Sequence, residues 1–216
     1  MKQIEFIGNN ALDNISKIIF DNNAKRILLV TGKDSFKKSG SEEKLNQYLK
    51  NLTVLRFSDF EVNPNIKDVK TGIEVIESFN PDLIIAIGGG SVIDIAKLIN
   101  IFAVHVKNEN EIYDFVNKSS SISNQGLPLI AIPTTSGTGS EATHFAVVYI
   151  GTKKYSFAHE YVLPNYAIVD PNLTYSNPSY VKACSALDAF SQAIESFWAV
   201  GSSDESRQYS RKAIKL

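Results

Sequence analysis

Two loops rich in glycine, serine and threonine contain the residue types best suited to bind a phosphate group. The first is the GGGS run at 88–91, which follows an apolar segment and precedes a helical pattern. Consecutive glycines let backbone N–H groups approach an oxyanion, and the positive end of the following helix dipole favours negative charge. The run matches neither GxGxxG nor the P-loop pattern. It is equally compatible with a tight turn in which Ser91 caps the helix and Asp94 completes a capping box.

The second loop is PTTSGTGSE at 133–141, which also follows an apolar segment directly. Thr134, Thr135 and Thr138 supply hydroxyl groups with little bulk around them. Loops at the carboxyl ends of neighbouring parallel strands meet at the ligand crevice of an open α/β sheet. Two such loops favour one shared phosphate or dinucleotide site, the alternative being a surface loop that caps the next segment.

A third candidate is the pair Asp188 and Gln192, which are four residues apart and share one face of a predicted helix. A carboxylate and an amide oxygen can both serve as ligands of a divalent metal ion. The alternative is a hydrogen-bonded pair at a contact between helices. Among single residues, we interpret Cys184 as a core thiol, and Lys97 and Lys154 as solvated unless the fold brings them to the crevice.

The elements that must position these residues alternate between strands and helices. β-Branched apolar runs are typical of strands covered on both faces, and their alternation with helices indicates a parallel sheet with right-handed crossovers. Strands are predicted at 25–32, 52–58, 82–90 and 127–135, and helices at 11–20, 41–51, 65–79 and 91–104. The segments 145–150 and 166–170 are predicted as later strands, either a separate hairpin or an extension of the sheet.

The pattern changes after the Asp-Pro pair at 170–171, where helical spacing takes over. Ser176 or Asn177 is predicted to cap a long helix. One side of that helix is apolar: Ala183, Leu187, Phe190, Ile194 and Phe197. A second, amphipathic helix runs to the last residue with its apolar face exposed, which predicts self-association. We therefore predict one domain at 1–172 and the first helices of another at 173–216.

Composition limits the classes of protein that fit. With 216 residues, 44% hydrophobic and 21% charged, the chain has the composition of a globular protein with a sizeable core. A formal net charge of −1 argues against a nucleic-acid partner and against a basic membrane-binding patch. The single cysteine excludes an internal disulfide, and the first residues lack the apolar run of a signal peptide. We therefore expect a soluble cytoplasmic α/β protein.

Both loops and two later segments together resemble the iron-containing alcohol dehydrogenase family. The matching segments, in the family's order, are GGGSVIDIAK at 88–97, PTTSGTGSEAT at 133–143, LPNYAIVDP at 163–171 and LDAFSQAIES at 187–196. The resemblance implies a Rossmann-like, parallel-sheet NAD(P)-binding domain followed by the start of an all-α domain, the dehydroquinate synthase-like fold. It also implies NAD(P)H-dependent interconversion of small aldehydes and alcohols, with a divalent metal, iron or zinc, between the domains. Relatives continue well beyond the last residue, so the chain is expected to be truncated.

Carried over position by position, the resemblance assigns the cofactor contacts. Gly89, Gly90 and Ser91 would bind the pyrophosphate, and Thr134, Thr135, Thr138 and Lys154 would line the rest of the cofactor. NAD-preferring relatives tend to have aspartate at the position of Gly32, where it accepts the ribose 2′-hydroxyl and repels a 2′-phosphate. Gly32 removes that repulsion, and Lys33 and Ser35 favour a phosphate. NADPH, or use of both cofactors, is therefore expected.

The resemblance also assigns Asp188 as the first metal ligand, while Gln192 stands where many relatives have a histidine. An amide oxygen is a poorer ligand than imidazole for iron or zinc. The two later histidines of those relatives have no counterpart before Leu216.

Within the family, the segments at 154–171 and 188–198 most resemble the phosphonoacetaldehyde reductase branch, which makes 2-hydroxyethylphosphonate. This resemblance implies an anionic substrate that needs a cationic contact, which Lys154 or His159 would supply. Two alternatives stay open. One is a family member that acts on ordinary short-chain alcohols, and the other is a nucleotide-binding module without turnover. A homodimer is also expected.

Overall fold

Strands of a parallel sheet form the centre of the computed structural model, which describes residues 2–106, 109–117 and 121–216. The strands are β1 (Ile4–Ile7), β2 (Arg26–Thr31), β3 (Thr53–Phe57), β4 (Leu83–Gly88), β5 (Leu129–Pro133), β6 (Phe145–Ile150), β7 (Lys153–Ala158) and β8 (Tyr166–Val169). Six of them form the parallel sheet in the order β1-β8-β5-β4-β2-β3, and β6 and β7 form a separate antiparallel hairpin. The α/β fold class expected from the sequence is confirmed.

Helices cover the sheet and then continue beyond it. They are α1 (Ile15–Asp21), α2 (Ser35–Lys38), α3 (Ser41–Leu49), α4 (Ile66–Phe79), α5 (Gly90–Phe102), α6 (Glu109–Val116), α7 (Ser179–Trp198) and α8 (Asp204–Ile214). The segment predicted as one helix at 11–20 divides into a 3₁₀ turn, Ala11–Asn14, and α1. Helix α4 begins at a capping box, in which the Asn65 side chain accepts the N–H of Asp68 and the Asp68 carboxylate accepts the N–H of Asn65.

Two apolar cores lie on opposite faces of the sheet because successive side chains of a strand point to opposite sides. In β2, Leu28 and Val30 pack into one core, whereas Ile27 and Leu29 pack into the other. All of the side chains of β4 and β5 are buried. The continuous apolar runs of the sequence are therefore explained by helices on both faces.

The edge of the sheet next to β8 differs from the sequence-based expectation. Strand β1 was not predicted, and it pairs in parallel with β8, with Ile4 aligned to Tyr166. Strand β8 lies between β1 and β5, so the segment 166–170 extends the sheet while 145–150 belongs to the hairpin. The division into domains at residue 172 stays a prediction. Within the described ranges, no helix is both long enough and apolar enough to cross a membrane.

Helix α7 begins directly after Pro178 and has no side-chain cap from the described residues. The predicted cap by Ser176 or Asn177 is therefore wrong. Both side chains bond elsewhere, because the Ser176 hydroxyl donates to the carbonyl oxygen of Ser39 and the Asn177 amide donates to that of Thr134. These bonds attach the segment before α7 to the sheet domain instead of to the helix.

The predicted apolar face of α7 is largely exposed in the described part of the chain. Leu187 is 66% exposed and Phe190 is 46% exposed, whereas Ala193 is buried. Cys184 is exposed, so its interpretation as a core thiol is wrong. Helix α8, which begins at a capping box on Ser203, packs against α7. Exposed large apolar side chains therefore lie on α7, at Tyr180, Leu187, Phe190 and Trp198, and also on α8, at Tyr209.

Candidate functional site

The carboxyl ends of three neighbouring strands bring the sequence-predicted loops together. Thr31 of β2 is aligned with Ile87 of β4, and Gly88 of β4 is aligned with Pro133 of β5. The backbone N–H of Thr134 donates to the carbonyl oxygen of Gly88 at 2.9 Å. The three loops that follow these strands therefore leave the sheet side by side, at the edge where open α/β sheets bind ligands.

The glycine-rich loop leads directly into α5. Gly89 is the N-cap of this helix in an extended conformation, with φ −78° and ψ −177°. No described side chain hydrogen-bonds to the cap, so the alternative in which Ser91 and Asp94 form a capping box is wrong. Asp94 bonds to the second loop instead. The first-turn N–H groups of a 13-residue helix therefore have no competing side-chain cap, as an anion site at a helix start requires.

The second loop packs closely against the first, so a side chain at 90 would displace Thr138 and one at 89 would make a tight contact with Thr135. A methyl group added to Gly90 would lie 2.9 Å from Cγ2 of Thr138, and one added to Gly89 would lie 3.2 Å from Oγ1 of Thr135. Favourable carbon–carbon contacts are about 3.5–4.0 Å. The structure thus brings Gly89, Gly90, Thr135 and Thr138 into one arrangement, as the sequence predicts for a shared site.

A cavity of about 320 Å³ opens beside these loops. It is lined by both loops, by the β6–β7 hairpin and by α7, including Gly90, Ser91, Thr138, Lys154, Asp188 and Gln192. Thr134 is buried within the second loop, and Gly89, Thr134 and Thr135 do not line the cavity. His159 lines a different cavity, together with His144. Of the two cations considered for an anionic substrate, Lys154 is therefore the one at this site.

Gly32, directly after β2, and Ser35, the first residue of α2, lie apart from that cavity. A methyl group added to Gly32 would lie 2.2 Å from the Ser35 Oγ, so the hydroxyl occupies the space of a side chain at 32. Arg56 donates to the carbonyl oxygens of Gly32 and Lys33 at 2.8 and 2.7 Å. Lys33 in turn pairs with Asp59 at 2.8 Å, with both side chains mostly exposed. Two cations therefore flank this turn.

Lys97 is a residue whose place the sequence-based interpretation misjudged. It is only 1% exposed, so the expectation of a solvated lysine is wrong. Its Nζ donates to the carbonyl oxygens of Ser140, Thr143 and Phe145. The signal available in the sequence was its position three residues after Asp94, on the same face of a helix that is otherwise buried.

Burial perturbs both charged groups of this helix. Burial lowers the pKa of Lys97 to about 8, while Asp94 and Glu141 act in the opposite direction. Burial raises the pKa of Asp94, against the effect of the hydrogen bonds that it accepts from Ser140 and Val147. These two groups connect α5 to the second loop and to the hairpin.

Gly137 brings the second loop against α7. It has a φ of +105°, and a methyl group there would lie 2.5 Å from the carbonyl oxygen of Ser185 and 3.3 Å from Oδ2 of Asp188. Sequence reasoning placed Gly137 in the loop without recognising this contact. The second loop therefore contacts the glycine-rich loop through Thr138. Through Gly137 it also contacts α7, the helix that carries the predicted metal ligands.

The two predicted metal ligands bond to each other. The Gln192 amide nitrogen donates to Oδ2 of Asp188 at 2.9 Å, and both side chains are exposed. Together they offer one carboxylate and one amide oxygen, and the described residues contain no group of three His, Cys, Asp or Glu able to hold a metal ion. Two such ligands are fewer than the three protein ligands of a catalytic zinc site, so the described side chains do not complete one by themselves. The metal assignment stays a prediction.

A larger cavity, of about 580 Å³, lies away from these loops. Its polar groups bind one another: the Tyr48 hydroxyl donates to Asp13 at 2.5 Å, and the Lys44 Nζ donates to the carbonyl oxygen of Asn172 at 2.8 Å. The hydrogen bond to Asp13 raises the pKa of Tyr48 to about 12. None of the predicted cofactor residues lines this cavity. Its size alone does not make it the functional site.

Two curated proteins that are similar in sequence are named as alcohol dehydrogenases. Long-chain-alcohol dehydrogenase 1 of Geobacillus thermodenitrificans is 34% identical over 217 residues, covering 99% of this chain and 54% of the relative. NADH-dependent butanol dehydrogenase A of Clostridium acetobutylicum is 34% identical over 197 residues, covering 89% of this chain and 49% of the relative. The chain therefore spans about half the length of the curated relatives it matches.

Solved structures of similar sequence also have the same fold as this chain. Sulfoacetaldehyde reductase from Bifidobacterium kashiwanohense, in complex with NAD+, superposes with a TM-score of 0.90 at 30% identity, covering 99% of this chain and 56% of that one. The family model of the iron-containing alcohol dehydrogenases matches residues 3–171, which include both loops and the whole parallel sheet. The resemblance seen in the sequence is thus confirmed, and the chain belongs to the iron-containing alcohol dehydrogenase family.

Proposed function

We propose that this chain forms the cofactor-binding part of an oxidoreductase that reduces an aldehyde to an alcohol with NAD(P)H. The observation that carries the proposal is the contact of Gly89 and Gly90 with Thr135 and Thr138, at a helix start without a side-chain cap. When bound, the cofactor supplies the hydride. The chain supplies position and electrostatics.

The proposed contacts follow the order of the loops along the sheet edge. Gly89, Gly90 and Ser91 bind the pyrophosphate through backbone N–H groups at the start of α5. The two glycines have no side chain that would keep the phosphate away from these groups. Thr134, Thr135 and Thr138 support the cofactor from the second loop, and Lys154 lies beside the ribose. The nicotinamide then lies toward the cavity lined by Lys154 and α7.

Within this activity, we propose phosphonoacetaldehyde as the substrate and 2-hydroxyethylphosphonate as the product. Lys154 lines the cavity and can bind an anionic group. A related structure is named for the reduction of sulfoacetaldehyde, an aldehyde whose sulfonate has the same tetrahedral, anionic character. Reduction of an ordinary short-chain aldehyde is the alternative within the family.

The experiment that tests this function has two stages. Titration of the protein with NADPH, followed by cofactor fluorescence, measures binding. NADPH oxidation is then compared with phosphonoacetaldehyde, sulfoacetaldehyde and butyraldehyde as substrates. Faster oxidation with the two anionic aldehydes supports the substrate proposal, and equal rates with butyraldehyde contradict it. NADPH binding without oxidation supports the nucleotide-binding module, and no binding at all contradicts the cofactor site.

A homodimer is part of the proposal. The exposed apolar side chains of α7, Leu187, Phe190 and Trp198, form a surface that self-association would cover. Sedimentation of the protein at several concentrations measures its oligomeric state, and a monomer at all of them contradicts this part of the proposal.

We also propose that NADPH is preferred over NADH, because Gly32 carries no carboxylate and Lys33 and Arg56 flank it. The double substitution Gly32→Asp with Ser35→Ala is expected to shift the preference toward NADH by about tenfold or more, about 1.4 kcal/mol. The aspartate accepts the 2′-hydroxyl and repels the 2′-phosphate. The second change is needed because the Ser35 hydroxyl occupies the space of a side chain at 32.

Dissociation constants for NADH and NADPH check this prediction. Ser35→Ala alone serves as the control for the loss of the hydroxyl. An unchanged ratio of the two constants in the double variant would show that the turn after β2 does not contact the ribose.

Gln192→His is expected to raise the affinity of the chain for Zn²⁺ by about tenfold, because imidazole is a better zinc ligand than an amide oxygen. Bound zinc, measured by metal analysis after dialysis, checks the expectation. Ala186→His is the matched control, since it places an imidazole on the same helix two residues from Asp188, where the two side chains do not face each other. If both variants bind equal zinc, Asp188 and Gln192 form only a hydrogen-bonded pair.

A further inference from the structure

We propose that Lys97 is a positioning residue for the cofactor site: its ammonium group holds the second loop, taken here with the two residues that follow it as 133–143, in the place where it packs against the glycine-rich loop. Cofactor affinity then depends on a side chain that never touches the cofactor. The inference rests on the proposed function, because the affinity concerned is that for NADPH.

The number of hydrogen-bond partners matches the ammonium group. A protonated lysine has three N–H donors and no acceptor. Lys97 has three carbonyl acceptors, on Ser140, Thr143 and Phe145, the last two at 2.8 Å. Two of these carbonyls lie at the end of the second loop and the third is in the first residue of β6. One side chain therefore ties the end of the loop and the start of the hairpin to α5.

Asp94 adds a second connection, three residues earlier on the same helix. Its carboxylate accepts hydrogen bonds from the Ser140 hydroxyl and from the backbone N–H of Val147 at 3.1 Å. Helix α5 begins at Gly90, which packs against Thr138 of the same loop. The helix thus carries the first loop at its start and holds the second loop along its side, so the spacing between the two loops is set by one rigid element.

The buried charge of Lys97 is explained by the backbone carbonyls that it binds, and not by the packing of its side chain. Burial of a lysine has a large desolvation cost, and an apolar side chain at this position would fill the core without that cost. Backbone carbonyls at a loop end, in contrast, need donors when they are buried. The ammonium group supplies three donors from one position, which no apolar residue can do.

The protonation of Lys97 provides a test of the proposed role, because a side chain that only packs would show no dependence on pH. Burial lowers the pKa of Lys97 to about 8, and the charged groups that act on it are Asp94 on its own helix and Glu141 on the loop. Lys154 on the hairpin acts on Asp94 in turn. A neutral amine has two donors, so one of the three carbonyls loses its partner as the pH rises through this value.

The test compares Lys97→Met with the wild type by titration with NADPH and with 2′-AMP. NADPH spans both loops in the proposed site, whereas 2′-AMP reaches only the turn that contains Gly32. We expect the dissociation constant for NADPH to rise about tenfold or more in Lys97→Met, with little change for 2′-AMP. Lys44→Met is the matched control, since Lys44 also donates to a backbone carbonyl, that of Asn172, but away from the site. It should bind NADPH as the wild type does.

The pH dependence and hydrogen exchange complete the test. Wild-type affinity for NADPH should fall as the pH rises through the pKa of Lys97, about 8, while that of Lys97→Met stays flat over the same range. Amide exchange should accelerate in 134–143 and stay unchanged in β4. Equal NADPH affinity in both proteins would overturn the proposal, as would equal losses for NADPH and 2′-AMP with faster exchange throughout the sheet.

Two remaining results also decide between explanations. If Lys97→Met does not fold, the pH series of the wild type decides alone, and an NADPH affinity and an exchange rate in 134–143 that both stay constant from about pH 7 to about pH 10 would overturn the proposal. If the wild type itself does not bind NADPH, the proposed function fails. The contact between Lys97 and the second loop is then tested by amide exchange alone. An exchange rate in 134–143 that is the same in Lys97→Met and in the wild type would reject it.

Discussion

Replacing Gly90 with valine is expected to lower the affinity for NADPH by about a hundredfold or more, about 3 kcal/mol, while the chain stays folded. A methyl group at this position lies 2.9 Å from Cγ2 of Thr138, closer than a favourable carbon–carbon contact. Valine must therefore displace the second loop or occupy the space in front of the first helical turn. In both cases the backbone N–H groups that would bind the pyrophosphate become less accessible.

NADPH titration measures the loss, and far-ultraviolet circular dichroism with thermal unfolding shows whether the sheet is retained. Gly201→Val is the matched control, because no heavy atom lies within 4 Å of a methyl group added there. That variant should bind NADPH within about twofold of the wild type. Wild-type affinity in a folded Gly90→Val protein would contradict the phosphate-binding role of this loop.

Gly137→Ala is expected to lower the free energy of unfolding by about 2–3 kcal/mol and to loosen α7. Two independent effects contribute. A φ of +105° is strained for any residue with a side chain, and the added methyl group would lie 2.5 Å from the carbonyl oxygen of Ser185. The loop, the helix, or both must move, and Asp188 moves with the helix.

Chemical denaturation measures the change in stability, and amide exchange in 179–198 reports the position of α7. Gly139→Ala separates the two effects, since its φ of +62° is also in the left-handed region but no heavy atom lies within 4 Å of the added methyl group. It should cost about 1–2 kcal/mol and leave α7 unchanged. If both substitutions lower the free energy of unfolding equally, the close contact with Ser185 does not contribute to the loss of stability in Gly137→Ala.

The interior of the sheet was the part of the fold that local patterns predicted best. Strands β2, β4 and β5 are short, apolar and covered on both faces, so the hydrophobic pattern is strong and nearly continuous. The glycine and threonine loops were predicted at the ends of β4 and β5, because the topology of a parallel sheet brings strand ends to one edge. The family followed from the same segments.

Edges and termini were predicted less well. Strand β1 is four residues long, and Ile4 and Ile7 are half exposed or more, so its pattern resembles that of a loop. The start of α7 was misplaced because the side chains of Ser176 and Asn177 bond to Ser39 and Thr134, distant in sequence, and not to the helix that follows them. Local capping rules cannot anticipate a partner more than 40 residues away.

The α/β class, the alternation of the interior strands with their helices, and the two loops that define the family all follow from the amino-acid sequence, because each depends on local periodicity or on glycine and hydroxyl residues close together in the chain. The tertiary structure alone decided what Asp94 and Lys97 do, which glycines face another loop, and that Asp188 and Gln192 bond to each other. These facts depend on partners at large sequence separation. A lysine in a helix is expected to be solvated, and only the fold shows that three backbone carbonyls surround the ammonium group of Lys97.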